Sequence, residues 1–394
     1  MAITKEQLLA SAQNQLEKVR QVRRHLHAHP ELSFQEHETA YFLQARLEEA
    51  GIEVKTGYAE TGLVAVIKGK NPDSRLFALR GDMDALPIKE ENTIDYRSQN
   101  EGVMHACGHD VHSACALGAG LILQELKDEW EGTVHILFQP GEEKLPGGAS
   151  LMIRDGALNP LPKGIVGQHV FPELPAGKVG FKPGMYMASA DEIYITLKGK
   201  GGHAALPHKN KDAIAAMAQM ITGLQQVVSR MAPPAIPCVL SFGKVIANGA
   251  TNVIPNEVYI EGTFRTMDEA WRAEAHDLIR KVGSEIAGSF GVEADVDVRM
   301  GYPYVENDPA LTMSAMDAAK ELLGADNVVD LEIRMTGEDF AYYSQHMPGC
   351  FYRLGTSSPD GKQFTSPVHT PTFDIDEHAL LTGTALMAWL AMKC

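Results

Sequence analysis

The stretch richest in reactive side chains is the octapeptide 105–112, which holds three histidines, one cysteine and one aspartate. A thiolate and a neutral imidazole are the protein groups that bind borderline divalent ions best. Gly108 separates Cys107 from His109, and a glycine lets the backbone bend so that both side chains can reach one ion. Either side chain alone is more typical of a core or a surface. The cluster therefore predicts a metal site only if other ligands join it.

Other carboxylates and histidines lie where predicted strands end. Three such segments are 76–79 before Asp82 and Asp84, 133–138 before Glu142 and Glu143, and 164–170 around His169. Helices predicted between them imply a largely parallel sheet, because parallel neighbours need crossover connections. Ligands of such sheets collect outside the carboxyl ends of the strands. These strand ends should therefore converge, although each acid alone could be a turn former.

A change of pattern after Gly184 predicts a second domain. Apolar residues alternate over 193–197, and the predicted elements that follow have the order β-α-β-β-α-β, which is the ferredoxin-like split motif. We therefore predict an α/β fold with a large catalytic, metal-binding domain, residues 1–185 and 298–394, whose mostly parallel sheet is flanked by helices. A ferredoxin-like dimerisation or lid domain, residues 186–297, interrupts it.

Two local expectations accompany this fold. A helix is predicted to begin at Gly337. The histidines near the N-terminus have no cysteine or strand end beside them, and we expect a solvated or capping role for His25, His27, His29 and His37.

Composition limits the class of protein. The 394 residues are 44% hydrophobic, enough for two domains and a large core. The formal charge of -16 argues against nucleic acid or an anionic membrane as partner. No window approaches the ~20 apolar residues that span a bilayer. Five scattered cysteines predict no disulfide framework, and with no apolar leader after Met1 we expect a cytoplasmic protein.

The candidate ligands are too many for one ion. Cys107, His109, Glu143, His169 and His369 together exceed what a tetrahedral ion with a bound water needs. Two ions that share a bridging water explain the surplus, since such pairs lie about 3.5–4 Å apart, polarise a carbonyl and acidify the water. One carboxylate must then stay free as general base, and the spacing allows either Glu142 or Glu143.

Nine short motifs occur in an order typical of one hydrolase family: RGDMDALP (80–87), HACGHDVH (105–112), QPGEE (139–143), GQHV (167–170), GKGGHAALP (199–207), TNVIPN (251–256), GTFRT (262–266), GEDFA (337–341) and HTP (369–371). On these motifs the chain resembles the aminoacylase, hippurate hydrolase and indoleacetyl-amino-acid hydrolase family of di-metal amidohydrolases, relatives of the glutamate carboxypeptidases. The motifs cover nearly the whole chain.

The resemblance assigns roles within the large domain. It implies the five metal ligands named above, with Glu142 as the general base. Asp82 stands where the related peptidases have a ligand histidine, so Asp82 is not expected to bind the metal directly. Asp84 is instead expected to orient a ligand histidine.

The resemblance also assigns roles within the inserted domain. It implies that His203 reaches the active site of the neighbouring subunit and helps to hold the amide oxygen as charge develops. Asn252 and Arg265 are similar to groups that receive the carboxylate of the substrate, which a guanidinium can bind bidentately. A surface salt bridge remains an alternative role for Arg265.

We therefore expect a homodimeric amidohydrolase that cleaves N-acyl amino acids to a carboxylate and a free amino acid. Its cofactors are expected to be two divalent ions per subunit, Mn²⁺ or Zn²⁺, with Co²⁺ or Ni²⁺ also compatible with the ligands. The alternatives are a dipeptidase or carboxypeptidase of the same superfamily, a cysteine hydrolase with Cys107 as nucleophile, and a metal-storage protein without catalysis.

Overall fold

The chain forms two compact units in the computed structural model, which describes residues 3–394. Unit 1 consists of the chain up to Gly184 together with Glu306–Glu332 and Asp339–Cys394, and unit 2 consists of Met185–Val305 and Ile333–Glu338. Each unit has its own hydrophobic core. Within residues 3–394, every helix is too short or too polar to cross a bilayer.

Helices and strands alternate along most of the chain. Up to Phe181 they are α1 (Lys5–Ala28), α2 (His37–Glu49), β1 (Glu53–Tyr58), β2 (Gly62–Lys68), β3 (Leu76–Asp82), α3 (His109–Glu125), β4 (Thr133–Gln139), α4 (Gly148–Arg154), β5 (Ile165–Pro175) and β6 (Val179–Phe181). The middle of the chain forms β7 (Gly184–Met187), β8 (Ala190–Lys198), β9 (Gly202–His203), α5 (Ala213–Gln226), β10 (Cys238–Ile246), β11 (Val253–Ile254), β12 (Glu257–Thr266), α6 (Glu269–Ser289) and β13 (Glu293–Tyr302). The last part forms β14 (Val305–Asn307), α7 (Pro309–Leu323), β15 (Val328–Asp330), α8 (Ala341–Ser344), β16 (Gly349–Ser357) and α9 (Ala379–Lys393).

The sheet of unit 1 has the order β1-β2-β4-β3-β5-β16-β6-β15. Its centre, β4-β3-β5-β16, is parallel throughout, whereas β2 and β6 join it in antiparallel fashion. Strand β4 is buried at all seven positions. Such continuous burial is typical of a sheet covered on both faces. The predicted fold class, a mostly parallel sheet flanked by helices, is confirmed.

Helix α3 is the central helix of unit 1, and most of its residues are buried. Gly118 permits its close packing: a Cβ at this position would lie 2.5 Å from Cγ2 of Val19 on α1 and 2.7 Å from Cγ2 of Thr384 on α9. Because α3 is held between α1, α9 and the sheet, its first turn is a rigid platform for side chains.

The main sheet of unit 2 has the order β10-β12-β8-β13, with every neighbouring pair antiparallel. Helices α5 and α6 contribute side chains to the same core as these strands. In chain order these elements are β-α-β-β-α-β, so the predicted ferredoxin-like topology is confirmed.

The expectation of a helix from Gly337 is wrong, because helical structure is confined to α8, Ala341–Ser344. The side chain of Asp339 instead connects strand β3 to helix α4. Its Oδ1 accepts from Nη2 of Arg80 and its Oδ2 from the N–H of Ala149, at 2.8 and 3.0 Å.

The expectation of a solvated or capping role is wrong for His27, which is fully buried. Its Nδ1 lies 2.8 Å from Oδ2 of Asp110, and its Nε2 lies 3.2 Å from Oε1 of Glu90. The buried face of α1 packs against the first turn of α3, so His27 supports Asp110 within the core.

Candidate metal centre

Strands β3, β4 and β5 are parallel neighbours in the unit 1 sheet. Their carboxyl ends point to the same side of the sheet, which is called the carboxyl-end edge below. Asp82 is the last residue of β3, Gln139 is the last residue of β4, and His169 lies within β5. Parallel strands present their carboxyl ends at the same edge. The polar residues that follow β3 and β4 therefore meet His169.

Gly108 turns the chain into α3 between two candidate ligands. Its φ is +80°, a left-handed conformation that favours glycine, and it is the residue before the first helical residue, His109. A Cβ on Gly108 would lie 2.5 Å from Cγ2 of Val170. This tight turn places Cys107 and His109 at the same end of α3.

The five predicted ligands come together at this edge. The Sγ atom of Cys107 lies 3.4 Å from Nε2 of His169 and 3.3 Å from Nε2 of His369. Oε1 of Glu143 lies 3.0 Å from Nε2 of His369 and 3.9 Å from Nε2 of His109. Their donor atoms form overlapping groups within 4.8 Å, and Cys107 belongs to two of them, one with the two histidines 109 and 169 and one with Glu143 and His369.

Hydrogen bonds at Nδ1 decide which ring nitrogens can bind an ion. Nδ1 of His109 lies 3.1 Å from Oδ1 of Asp84, and Nδ1 of His169 lies 2.8 Å from the carbonyl oxygen of Val170. Both Nδ1 atoms therefore carry the proton, which directs Nε2 toward the other donors. Within residues 3–394, the buried Nε2 of His109 has no hydrogen-bond partner.

The charges at this edge fit a cation. Burial lowers the pKa of His109, but Asp82, Asp84 and Glu143 outweigh that effect and raise it to about 10. Burial raises the pKa of the Cys107 thiol well above its usual value, and neighbouring carboxylates add to the rise. An excess of carboxylates around an unpartnered imidazole nitrogen and a thiol is the donor chemistry of a divalent metal site.

The backbone of His369 is strained. Its φ is +63°, a conformation uncommon for a residue with a side chain, and its N–H donates to the carbonyl oxygen of Ala106 at 2.7 Å. Such backbone strain clusters at functional sites, where the surroundings impose it. The loop 368–371 is thereby joined to the residue next to Cys107.

Two other histidines of the octapeptide are also buried. Nε2 of His112 accepts the N–H of Val170 at 2.8 Å, so its Nδ1 carries the proton and donates to Oδ1 of Asp82 at 2.6 Å. Both nitrogens of His112 are thus used, which leaves none for an ion. Burial lowers the pKa of His105 to about 4, so this ring is neutral, and in the described chain neither nitrogen has a hydrogen-bond partner.

Glu142 stands beside the ligand groups with a buried carboxylate. Its Oε1 lies 3.4 Å from the N–H of Asp339, and its donor atoms group with those of His109 and Glu143. Asp84 accepts the N–H of Glu142 through Oδ1 and the N–H of Glu143 through Oδ2, both at 3.0 Å. One buried carboxylate thus fixes the backbone of both glutamates.

The predicted catalytic residue His203 and the predicted substrate-binding residues Asn252 and Arg265 lie in unit 2. His203 is on β9, paired with β11, and its Nδ1 accepts the N–H of Ala205 at 3.1 Å. The carbonyl oxygen of Asn252 accepts the N–H of Ala204 at 3.0 Å, so the structure brings Asn252 next to the His203 turn. Arg265 lies on β12, where its Nε donates to Oγ1 of Thr263 at 3.1 Å.

Sequence reasoning gave no role to several residues that hold this edge together. Arg80 donates through Nε to Oε1 of Gln139 at 3.0 Å, and Nε2 of Gln139 donates to Oδ1 of Asp339 at 2.8 Å. The motifs that contain these three residues were the only signal available. A polar triad formed by residues far apart in the chain has no local pattern.

The fold and this donor cluster define an α/β protein with a candidate metal centre at the carboxyl ends of parallel strands. A family model described as peptidase family M20/M25/M40 matches residues 78–393. The chain belongs to this family, and it is accordingly a hydrolase of amide bonds. The family and the donor groups together support two divalent metal ions.

Two similar proteins are named for their enzymatic activities. An N-acetyl-L-cysteine deacetylase of Bacillus subtilis (strain 168) is 41% identical over 363 residues, which cover 92% of this chain and 85% of the relative. The thermostable carboxypeptidase 2 of Saccharolobus solfataricus is 36% identical over 376 residues, which cover 95% of this chain and 94% of the relative. A Bacillus subtilis crystal structure, described as a dinuclear metal-binding peptidase from the M20 family, has 37% identity and a TM-score of 0.83, with 96% of this chain and 98% of that chain covered.

Proposed function

We propose that this protein hydrolyses the amide bond of N-acyl amino acids and releases a carboxylate and a free amino acid. The observation that carries the proposal is the convergence of Cys107, His109, Glu143, His169 and His369 beside the buried carboxylate of Glu142. The similarity to a deacetylase of an N-acetyl amino acid supports the same substrate class.

The proposed ligands are these five residues. Two divalent ions bound there would supply a Lewis acid for the amide carbonyl and would lower the pKa of a water molecule. A thiolate favours Zn²⁺, whereas imidazole and carboxylate also suit Mn²⁺, Co²⁺ and Ni²⁺. Zn²⁺ or Mn²⁺ is the proposed occupant.

Glu142 is the proposed general base. Its carboxylate takes the proton from the attacking water as the new C–O bond forms, and returns that proton to the amide nitrogen as the C–N bond breaks. Glu143 occupies the next position and is proposed as a ligand. The N–H of Asp339 holds one oxygen of Glu142, which keeps its carboxylate in a fixed orientation.

Substrate contacts are proposed for three residues of unit 2. His203 would act on the neighbouring subunit by stabilising the negative charge that develops on the amide oxygen. Asn252 and Arg265 would bind the carboxylate of the amino acid. Burial lowers the pKa of Arg265, although Asp191 and Glu192 oppose this effect.

The inserted domain, residues 186–297, is proposed to form a homodimer and to close over the substrate of the catalytic domain, residues 1–185 and 298–394. Strand β10 is an edge of the unit 2 sheet, and it exposes Val245 and Ile246 at 44% and 40%. An edge with unpaired N–H and C=O groups and apolar side chains can pair with the same strand of a second copy. A cytoplasmic location remains a prediction.

Two of the alternatives differ in how they account for the buried groups. A cysteine hydrolase needs a thiolate, yet burial and adjacent carboxylates raise the pKa of Cys107. A metal-storage protein gives no task to Glu142. The carboxypeptidase alternative stays open because the similarity to a thermostable carboxypeptidase supports it. A peptide bond is also chemically similar to the amide bond of an N-acyl amino acid.

The test compares E142Q with E143Q. Each substitution replaces one carboxylate oxygen by an NH₂ group, and the two positions are adjacent. Wild type is assayed for release of free amino acid from N-acetyl, N-benzoyl and N-indoleacetyl amino acids and from dipeptides. We expect N-acyl amino acids to be cleaved fastest, E142Q to keep its metal but lose turnover, and E143Q to lose metal as well. Turnover by E142Q would exclude Glu142 as the general base. A preference for dipeptides would favour the peptidase alternative.

A further inference from the structure

A buried carboxylate with no part in the proposed chemistry lies beneath the loop that carries Glu142 and Glu143. It belongs to Glu36, immediately before α2, whose exposed fraction is 0%. Its Oε1 accepts the N–H of Gly141 at 2.8 Å, and its Oε2 accepts the hydroxyl of Thr61 at 2.9 Å. A carboxylate is costly to bury unless its oxygens are hydrogen-bonded, so these contacts must account for its position.

Two residues next to Glu36, Ser33 and Phe34, also contact Asp84 and the loop at Gly141. The hydroxyl of Ser33 donates to Oδ2 of Asp84 at 2.7 Å. The ring of Phe34 lies against Gly141, because a Cβ on Gly141 would be 2.3 Å from Cε1 of that ring. Phe34 has a φ of 65°, an unfavourable conformation for a bulky residue. A strained backbone persists only where its surroundings impose it.

Three successive N–H groups of the loop therefore end on two buried carboxylates. Glu36 accepts from Gly141, and Asp84 accepts from Glu142 and Glu143 at 3.0 Å each. Since all three N–H groups are fixed, the directions in which both glutamate side chains leave the backbone are fixed as well.

We propose that Glu36 is a positioning residue for the general base, because its bond to the N–H of Gly141 sets where the backbone of Glu142 and Glu143 lies. This inference rests on the proposed function of those two glutamates. Displacement of a catalytic group by about 1 Å can cost about 10²-fold in rate. Burial and the charge of Asp84 raise the pKa of Glu36 to about 7, and glutamine matches the shape of the carboxyl group in either state.

The experiment compares E36A, E36Q and the control E31A. Glu31 also accepts backbone N–H groups, from Glu38 and Thr39 at 3.3 and 2.8 Å, but these belong to α2 and not to the loop. For the best substrate of the panel, we expect kcat of E36A to fall about 10²-fold with little change in KM. E36Q should stay within a few-fold of wild type because its amide oxygen can still accept from Gly141. E31A should change the melting temperature without changing kcat.

Two readouts do not depend on turnover. Hydrogen exchange of the peptide that contains Gly141 should be faster in E36A than in E36Q or wild type. Metal affinity of E36A should fall by about 10 to 100-fold, the range for loss of an outer partner of a ligand. If no substrate is cleaved by wild type, the proposed function fails while these two readouts still test Glu36.

Several results would overturn the inference. One is that E36A keeps the kcat and the hydrogen exchange of wild type. Another is that kcat falls as much in E31A, or as much in E36Q, as it does in E36A. If E36A does not fold, E36D replaces it, since it keeps the carboxylate but withdraws it by one methylene. Unchanged kcat and unchanged exchange in E36D would then contradict the proposal.

Discussion

Oδ1 of Asp84 lies 3.1 Å from Nδ1 of His109, and this contact sets which nitrogen of the ring faces the metal ligands. The same oxygen accepts the N–H of Glu142. Burial raises the pKa of Asp84, but the hydrogen bond and charge of His109 outweigh it, so the pKa lies below its usual value. Asp84 therefore couples the orientation of a proposed ligand to the position of the proposed base.

The first prediction concerns D84N. An asparagine must turn its NH₂ group toward one of the N–H groups of Glu142 or Glu143, and it no longer holds the proton on Nδ1 of His109 as firmly. We expect metal affinity about 10 to 100-fold weaker, measured by competition with a chelator of known affinity. The control D73N removes an exposed carboxylate and should bind metal as wild type does. Unchanged affinity in D84N would show that Asp84 does not orient His109.

The second prediction concerns G108A. Alanine would meet the side chain of Val170 at 2.5 Å and would also adopt an unfavourable φ of +80°. Gly102 is a matched control, because its φ is +78° and nothing lies within 4 Å of a Cβ there. Urea unfolding should show a loss of about 1 kcal/mol in G102A from the backbone alone. G108A should lose about 1–3 kcal/mol more from overpacking. Equal losses would contradict the close contact with Val170.

The third prediction concerns stability and pH in unit 2. Asp191 is buried, with His276 Nε2 2.7 Å and Arg272 Nε 2.9 Å from its Oδ2. Burial alone would raise the pKa of Asp191, but hydrogen bonds from His276 and Arg272 lower it. A lowered carboxylate pKa gives stability that is complete above the unfolded value of about 3.9 and is lost as pH falls through the folded value.

We therefore expect D191N to be less stable than wild type by about 3 kcal/mol at pH 7, since buried Arg272 loses the charge of Asp191 and keeps only Glu269 as an ion-pair partner. The difference should shrink at about pH 3, because Asp191 of the unfolded chain is then mostly protonated, whereas folding must still ionise it through its lowered pKa. Urea unfolding at both pH values measures it, with the exposed D295N as control. A difference that persists at low pH would indicate a packing effect instead.

The fourth prediction concerns the proposed dimer. V245K introduces a charge on the edge strand β10, whereas M300K introduces one on β13 at the opposite edge, where Met300 is 65% exposed. We expect light scattering after gel filtration to give a dimer mass for wild type and M300K and a monomer mass for V245K. A dimer that survives V245K but not M300K would place the interface on β13.

The convergence of Asp82, Glu143 and His169 could be predicted because it follows from strand order alone. Once helices alternate with apolar strands, the sheet is parallel and its polar ends must meet. The ferredoxin-like unit followed from the same element order. The spacing could not show which of Glu142 and Glu143 is the general base and which is the metal ligand. That assignment came from family resemblance, and it remains a prediction.

The supports of the site were not predictable from local pattern. Glu36 and Gly141 are 105 positions apart, and their bond depends on how α2 packs against the sheet. His27 resembled a solvated histidine because its partner Asp110 lies 83 positions away. Contacts of this kind join segments whose own sequences carry only helix or turn signals, so three-dimensional packing is needed to reveal them.

Metal removal and restoration tests the central claim most directly. Chelator-stripped protein is assayed on the N-acyl amino acid that wild type cleaves best, while Zn²⁺ or Mn²⁺ is added back and the bound metal is counted by mass spectrometry. We expect no turnover in the stripped protein and full recovery near two ions per chain. Turnover that persists without metal would contradict the roles proposed for Cys107, His109 and Glu143.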